Sequence, residues 1–410
     1  MADIEINPKY PDISFLRDRA KKRIPGFAFQ YLDGGCNSEV NIRRNTDEIR
    51  DVQLRPYYLR DYGGISMDTE LFGETYSAPF GIAPVGLQGL MWPRASEIRA
   101  KAAYEHNIPY ILSTVATASL EAVAEITHGK AWFQLYHPTE EDLRDDLLKR
   151  CDTAGYKVLV ILSDVPTFGY RAKEIRNGLA IPPKMTLNNI LQIMSRPRWA
   201  IETLKAGAPE LQTLKPYMPG GMNLKHLGQF MNKTFTGRLS EDKVKKIRDL
   251  WPGKLVLKGV VTEEDAEKSA QWGLDGIIVS NHGGRQLDMG ESTIKPATRI
   301  AEKFKGRMSV MMDSGMRTGP DIANTLASGA EFAFLGRSFM YGVAAMGKQG
   351  GNQVISILKK QLQQVLEQVC CEKVNDLPSH LVKPEKRVLD RFGTRSWAGN
   401  RSETLVRMHQ

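Results

Sequence analysis

Short apolar segments alternate with helix-forming segments eight times between residues 79 and 337. Most of the apolar segments are continuous rather than alternating with polar residues, as is typical of parallel strands buried on both faces. They occupy residues 79–86, 110–115, 132–136, 157–164, 254–260, 276–281, 309–315 and 332–337. Eight strand–helix units in one chain predict an α/β protein with a (β/α)8 TIM barrel, and a doubly wound sheet is the structural alternative.

Helix-start signals follow several of these strands. The segment 139–154 comes after Pro138 and carries acidic residues in its first turn. The segments 262–272 and 318–328 each begin with a threonine followed three residues later by an aspartate. Such a pair caps the free backbone amides at a helix N-terminus, so these segments are predicted to be helices that connect the strands.

The spacing of the units predicts three regions. Residues 1–78 form an N-terminal helical cap, helical around 13–31, which is expected to close the bottom of the barrel. Residues 79–380 form the barrel, in which strands four and five are about ninety residues apart where a barrel needs roughly thirty. The excess is a long insertion after strand four, at about residues 172–250. Residues 381–410 form a basic C-terminal tail.

The net charge of the chain, +9, is concentrated in this insertion. Between residues 170 and 250 there are 15 Lys or Arg residues and 6 Asp or Glu residues. Such a surplus suits an anionic lipid surface, nucleic acid or plain solvation. Nucleic acid is the least supported partner because groove-reading motifs are absent and aromatic residues are sparse. A lipid surface would be entered by apolar residues within 179–181, 190–194 or 218–222.

The N-terminal sequence lacks a secretory signal pattern, and no apolar run approaches the roughly 20 residues of a membrane-spanning helix. The four cysteines are too few and too scattered for a disulfide framework or a CxxC metal site. We therefore expect a cytoplasmic protein without a metal, with the basic insertion as a candidate contact with the inner face of the cell membrane.

Chemically useful side chains recur where the predicted strands end, which is where TIM barrels place their active sites. A histidine (His282) beside a carboxylate (Asp164) is suited to act as a general base. Two arginines and a tyrosine form a fork for a carboxylate, and Gly-rich ends with Arg317 and Arg337 suit a phosphate. A lysine (Lys258) would stabilise negative charge on an electron-accepting ring. Together these groups suggest a flavin mononucleotide (FMN) enzyme that oxidises a hydroxy acid.

The segment Ser280-Asn-His-Gly-Gly-Arg-Gln-Leu-Asp288 resembles the active-site signature of the FMN-dependent α-hydroxy acid dehydrogenase and oxidase family. This family includes glycolate oxidase, lactate oxidase, L-lactate dehydrogenase and mandelate dehydrogenase. The resemblance extends over roughly residues 10–380. The loop 86–93 and the segments 196–199 and 207–211 of the insertion look most like the mandelate dehydrogenase branch, in which the insertion docks on the membrane.

The resemblance implies a role for each position. His282 would be the base, paired with Asp164, and Tyr136 would hydrogen-bond near the substrate hydroxyl. Arg171, Arg285 and Tyr31 would bind the substrate carboxylate, and Lys258 would contact the flavin. FMN would be held by Pro84, Val85, Gly86, Ser113, Gln134, Lys258 and Ser280, with its phosphate at Asp313, Gly315, Arg317, Gly336 and Arg337. The family habit also implies a homotetramer.

Three positions depart from the family pattern. Leu162 replaces a usual threonine, so one flavin hydrogen bond is missing or comes from Ser163. Val115 replaces the tryptophan of glycolate oxidases and Gly86 replaces an alanine, which argues for a roomier pocket and a mandelate- or lactate-like substrate. Glycine at position 86 tends to accompany dehydrogenases that pass electrons to a quinone or another acceptor.

Three other functions stay open. The same oxidation could use O₂ and produce hydrogen peroxide, as in glycolate and lactate oxidases. An FMN barrel could also serve an isomerase or a nucleotide dehydrogenase, although these lack the His-Gly-Gly-Arg site. A non-enzymatic barrel that binds lipid or nucleic acid is a remoter alternative, which the joint presence of His282, Asp164, Arg171 and Arg285 disfavours.

Overall fold

The computed structural model describes residues 5–179, 185–218, 230–231, 233–235 and 238–383. Eight parallel strands pair with their neighbours in one sheet, and a parallel bridge between Ile82 and Tyr110 brings its two edges together. A separate antiparallel hairpin precedes them. The strands are β1 (Thr69–Leu71) and β2 (Glu74–Tyr76) in the hairpin, and β3 (Phe80–Ile82), β4 (Ile111–Ser113), β5 (Trp132–Leu135), β6 (Val158–Leu162), β7 (Lys254–Val260), β8 (Gly276–Val279), β9 (Ser309–Asp313) and β10 (Phe332–Leu335) in the barrel.

The closed order of the strands confirms the TIM barrel and rules out the doubly wound alternative. Each of the eight predicted strand segments contains one barrel strand, and seven of the eight strands are shorter than the segment. The predicted segments extend beyond the C-terminal ends of the observed strands. The residues at these ends, such as Tyr136 and Asp164, lie in the loops above the sheet. These loops carry the candidate site.

Helices surround the barrel and follow its strands in turn. Their caps agree with the sequence: the Thr262 and Thr318 side chains accept hydrogen bonds from the backbone N–H groups of Asp265 and Asp321. The α-helices are α1 (Ile13–Arg23), α2 (Gly26–Asp33), α3 (Val40–Arg50), α4 (Gln88–Met91), α5 (Ala95–Glu105), α6 (Leu120–Thr127), α7 (Glu141–Thr153), α8 (Ala172–Arg176), α9 (Leu187–Met194), α10 (Pro197–Ala206), α11 (Glu241–Leu250), α12 (Glu263–Gln271), α13 (Ile294–Phe304), α14 (Gly319–Ala327), α15 (Arg337–Met346) and α16 (Gly350–Val369), with 3₁₀ turns at Lys215–Tyr217, Gly347–Gln349 and Val374–His380.

The hydrophobic core has two layers, one inside the barrel and one between the barrel and its helices. Large aromatic side chains fill the barrel interior, where Trp132, Phe332 and Phe334 pack with ring centroids 5.4 Å apart in two pairs. Successive strand residues alternate between the two layers, because neighbouring side chains on a strand point to opposite faces. The filled interior leaves the upper loops as the place for a ligand.

The N-terminal region covers both ends of the barrel rather than the bottom alone. The hairpin closes the bottom, where Phe72 and Tyr76 pack on Trp132, the first residue of β5. The helical segment predicted around 13–31 is two helices, α1 and α2, interrupted at Pro25. Helix α2 lies at the opposite end, so that Tyr31 lines the cavity at the top of the barrel.

The insertion after β6 contains α8, α9 and α10 in its described part. Helix α11, which the sequence analysis included in the insertion, buries Val244 and Ile247 and leads directly into β7, so it is the regular helix of a barrel unit. The Pro-rich residues 181–184 and most of the segment 218–222 lie outside the described residues. The same holds for the basic tail from residue 384 onward.

Candidate active site

The C-terminal ends of the barrel strands surround a cavity of about 1010 Å³. The insertion and helix α2 form its other walls. All of the site residues predicted from the sequence line this cavity except Asp164 and Ser280, which lie behind its wall. The volume is at the upper end of the range for ligand pockets, so the cavity can hold a cofactor and a small substrate together.

His282 and Asp164 meet at the cavity although 118 positions separate them in the chain. The His282 Nδ1 atom lies 2.9 Å from Asp164 Oδ1, and the backbone N–H of His282 donates to Ser280 Oγ. Gly259, in a bulge of β7 with φ +104°, permits this approach, because a Cβ atom there would lie 2.7 Å from the Asp164 Cβ atom. The sequence prediction that these two residues face each other is confirmed.

The surroundings of this pair favour a neutral imidazole. Burial lowers the pKa of His282 below its usual 6.5, and this effect outweighs the attraction of Asp164. Burial alone would raise the pKa of the Asp164 carboxyl group, but its contact with His282 and the charge of Lys258 lower it overall. An ionised Asp164 fixes the proton of neutral His282 on Nδ1, so we assign Nε2 as the free proton acceptor.

Lys258 is buried in β7 and has a carboxylate partner. Its Nζ atom lies 2.9 Å from Asp313 Oδ2 and 2.8 Å from Ser280 Oγ. Burial lowers the pKa of Lys258, but Asp313 and Asp164 raise it overall, which keeps the amine charged. The Asp313 carboxylate that lines the cavity is thus the counter-charge of Lys258, and its predicted contact with the phosphate stays a prediction.

The two arginines predicted to bind a carboxylate lie side by side at the mouth of the barrel. Arg285 Nη1 donates to the carbonyl oxygens of Tyr31 and Gly34 at 2.8 and 3.0 Å, and its guanidinium lies 4.9 Å from the centre of the Tyr31 ring. Arg171 Nη2 donates to Gln286 Oε1 at 3.1 Å. Burial raises the pKa of both nearby phenols, Tyr31 and Tyr136, so both keep their protons as hydrogen-bond donors.

Glu174 is a residue of this site that the sequence analysis missed. Its Oε1 atom lies 2.6 Å from Arg285 Nη2, and its Oε2 atom lies 3.4 Å from Arg171 Nη1. The Arg171-x-x-Glu174 spacing, which places the two side chains on one face of a helix, was the available signal. The sequence analysis includes Glu174 only among the six acidic residues between positions 170 and 250.

The polar groups of the cavity fit FMN. Gln134 Nε2 is buried with no hydrogen-bond partner in the described part of the chain, which suits a donor to a bound cofactor. Arg317 and Arg337 have no salt bridge to a carboxylate of the described residues, which suits a phosphate. Arg337 also contacts the C-terminal end of helix α2, where it donates hydrogen bonds to Leu32 O and Gly34 O. Burial lowers the pKa of Arg337 to about 10.

Two glycines that line the cavity pack too closely against their neighbours to carry a side chain. A Cβ atom at Gly86 would lie 2.8 Å from Val115 Cγ2, so the two positions that depart from the family pattern are in contact. Gly315 has φ +86°, and a Cβ atom there would lie 2.6 Å from Asn45 O. Leu162 lines the cavity, whereas Ser163 does not line it and its hydroxyl donates to Lys258 O.

Known proteins resemble this chain over most of its length. The L-lactate dehydrogenase of Vibrio cholerae serotype O1 (strain M66-2) is 38% identical over 348 residues, which cover 84% of this chain and 92% of the relative. The corresponding enzyme of Xanthomonas campestris pv. campestris (strain 8004) is also 38% identical, with 84% and 90% covered.

Solved structures give the same picture. The monotopic membrane protein (S)-mandelate dehydrogenase superposes with a TM-score of 0.86 at 32% identity, covering 91% of this chain and 99% of that one. A mandelate oxidase superposes with a TM-score of 0.77 at 29% identity, covering 91% of this chain and 98% of that one.

The family model described as FMN-dependent dehydrogenase matches residues 20–384. This chain is therefore an FMN-using oxidoreductase and belongs to the FMN-dependent dehydrogenase family.

Proposed function

We propose that this enzyme oxidises an L-2-hydroxy acid of the lactate or mandelate type to the 2-oxo acid. The observation that carries the proposal is that His282, paired with Asp164, faces the same cavity as the Arg171–Arg285 pair. A base close to a carboxylate-binding site is what a 2-hydroxy acid requires. The names of the relatives, L-lactate dehydrogenase and (S)-mandelate dehydrogenase, agree with this substrate class.

Each residue has a part in the proposed reaction. Arg285 and Arg171 bind the substrate carboxylate, Tyr31 supports it, and Tyr136 donates a hydrogen bond near the hydroxyl group. Oxidation removes two electrons and two protons, and one of these protons is accepted by His282 at Nε2. The negative charge of Asp164 stabilises the resulting imidazolium.

FMN, when bound, supplies the acceptor for the two electrons and for the second proton. Lys258 keeps a fixed positive charge beside it, balanced by Asp313. Arg317 and Arg337 neutralise the phosphate. The remaining residues proposed to hold the cofactor are Pro84, Val85, Gly86, Ser113, Gln134, Ser280, Gly315 and Gly336.

Anaerobic mixing of the holoenzyme with L-lactate, L-mandelate and glycolate tests the substrate class. We expect the oxidised-flavin absorbance to fall with L-lactate or L-mandelate. A flavin that none of the three acids bleaches would overturn the proposed reaction while leaving the cofactor in place.

We propose a quinone or another membrane acceptor, rather than O₂, for the electrons. Gly86 supports this proposal, because glycine at that position tends to accompany the dehydrogenases of the family rather than its oxidases. Admitting air to the reduced enzyme is the measurement: slow return of the flavin absorbance is expected. Fast return with stoichiometric hydrogen peroxide would make the protein an oxidase.

The Asp164→Asn variant should keep the size of the side chain but remove its charge. We expect kcat to fall roughly 10²-fold, because a charge-assisted hydrogen bond to the imidazolium is lost. Asp164 raises the pKa of His282, so its removal should shift the acid limb of the kcat/KM profile to lower pH. A pH–rate series measures both effects, and an acid limb that moves to higher pH would contradict this account.

We propose that the insertion attaches the enzyme to the surface of the membrane. None of the helices in the described part of the chain has the length and hydropathy to span a bilayer. Helices α9 and α10, however, expose Leu187, Leu191, Met194 and Leu204, each by more than 60%. Arg196, Arg198 and Lys205 accompany this apolar face and suit anionic lipid headgroups.

The barrel holds these helices with their apolar face outward. Trp199 is buried and donates through Nε1 to Met91 O at 3.0 Å, while Gln192 Oε1 accepts from the Phe27 backbone N–H at 2.8 Å. The exposed leucines therefore do not turn inward to join the core. Of the segments expected to enter lipid, 190–194 contributes to this face, and Leu187, Ile201 and Leu204 extend it.

Replacing both Leu191 and Leu204 by aspartate should reduce binding to phosphatidylglycerol vesicles at least 10²-fold. Each substitution removes about 1.5–3 kcal/mol of favourable free energy from burying a leucine side chain in the lipid. It also adds a negative charge, which the anionic vesicle surface repels. Co-sedimentation with vesicles is the measurement. The matched control is Leu59→Asp, a fully exposed leucine outside the insertion, which should leave binding unchanged. Equal binding of the double variant and wild type would refute membrane attachment through this face.

The homotetramer implied by the resemblance, and the position on the inner face of the cell membrane, stay predictions. The oligomeric state can be measured by sedimentation equilibrium, without detergent, on the variant in which Leu191 and Leu204 are replaced by aspartate.

A further inference from the structure

Glu174 occupies the space between the two guanidinium groups at the mouth of the cavity. It contributes one oxygen to each of them, at 2.6 Å from Arg285 Nη2 and 3.4 Å from Arg171 Nη1. All three side chains are at most 16% exposed. Glu174 thus makes the bridging contacts that a bound carboxylate would make.

The arginine pair requires such a counter-charge. Burial lowers the pKa of Arg285, and the neighbouring charge of Arg171 lowers it further, whereas Glu174 raises it. Two adjacent buried cations without an anion are strongly destabilising. The protein therefore supplies its own carboxylate when no acid is bound.

We propose that Glu174 is an internal competitor for the carboxylate group of the substrate. This inference rests on the proposed function, in which Arg285 and Arg171 bind that group. Glu174 neutralises the arginine pair in the free enzyme and gives up its contact with at least one arginine when the acid enters. Affinity for substrate and product is thereby set lower than two arginines alone would give.

The structure allows this exchange without unfolding the barrel. Glu174 belongs to the short helix α8, and its side chain borders the cavity. The helix is held by other contacts, from Lys173 Nζ to Glu39 Oε2 at 2.5 Å and from Asn177 Nδ2 to Gln30 Oε1 at 2.8 Å. Rotation of the Glu174 side chain suffices to release an arginine while these contacts keep α8 in place.

Calorimetric titration of the oxidised holoenzyme with the 2-oxo acids pyruvate and phenylglyoxylate tests the inference, because these acids bind without being oxidised. The Glu174→Gln variant should bind them roughly tenfold more tightly than wild type, since a competing charged contact is lost. The corresponding uncharged amides should bind both proteins equally. Glu174→Asp, which keeps the charge but shortens its reach, should tighten binding of the acids by a smaller factor.

Lys173→Met is the matched control, because it loosens the same helix without touching the arginines. Unchanged or weaker binding of the acids to Glu174→Gln would overturn the inference, as would an equal gain in Lys173→Met. If wild type and all variants bind the acids no better than the amides, the arginine pair is not a carboxylate site. In that case the proposed function itself fails.

Discussion

Replacing His282 by asparagine is expected to lower kcat by up to about 10⁴-fold, the upper range for loss of a general base. Asparagine is chosen because His282 has φ +57°, a conformation that asparagine tolerates better than alanine does. Its amide can still donate a hydrogen bond to Asp164 but cannot accept a proton near neutral pH. The rate of flavin bleaching by the acid, followed by stopped-flow absorbance under anaerobic conditions, is the measurement.

The control is His128→Asn, at a histidine with φ +50° that ends helix α6 far from the cavity. It should leave the bleaching rate unchanged. Both variants should retain a full complement of FMN, because His282 is not among the residues proposed to hold the cofactor. Bleaching of His282→Asn at the wild-type rate would remove His282 from the role of base.

Arg285→Lys is expected to reduce kcat/KM by about 10²–10³-fold, mostly through KM. Lysine keeps the positive charge but lacks the planar fork that binds a carboxylate through two hydrogen bonds. It also loses the donors to Tyr31 O and Gly34 O, which position helix α2 beside the site. Steady-state kinetics with the acid and with its uncharged amide separate these contributions.

The amide should lose far less activity than the acid, because it lacks the charge that Arg285 binds. Arg299→Lys offers a matched control, since Arg299 forms a two-point contact with Glu291 at the exposed surface. Its kinetics should equal those of wild type. An equal loss for acid and amide in Arg285→Lys would mean that Arg285 supports α2 and does not bind the substrate carboxylate.

The charged pairs of the site show how far residue types alone can be interpreted. The sequence analysis placed Lys258 beside the flavin and Asp313 at the phosphate, and it named no partner for the lysine. These residues lie on β7 and β9, and only the closed barrel brings their side chains within 2.9 Å. A carboxylate near a phosphate site could be identified as a lysine partner only once that distance was known.

Glu174 and the insertion show the same limit for loops. The basic surplus was visible in the sequence, yet its position relative to the cavity was not. The sequence indicated apolar residues within 190–194, but not which face of α9 the rest of the protein covers. Burial of Trp199 against Met91 decides that the leucines face outward.

The sequence by itself determined the barrel, its eight strands, the cofactor class and the strand-end polar residues that face the cavity, but not most of its apolar wall. It could do so because buried parallel strands are continuous apolar runs, and because their C-terminal ends converge on one face of a TIM barrel. Only the tertiary structure decided which charges pair, that the hairpin rather than the helices closes the bottom, and that Glu174 occupies the arginine fork. These outcomes depend on distances between residues far apart in the chain, which no local pattern encodes.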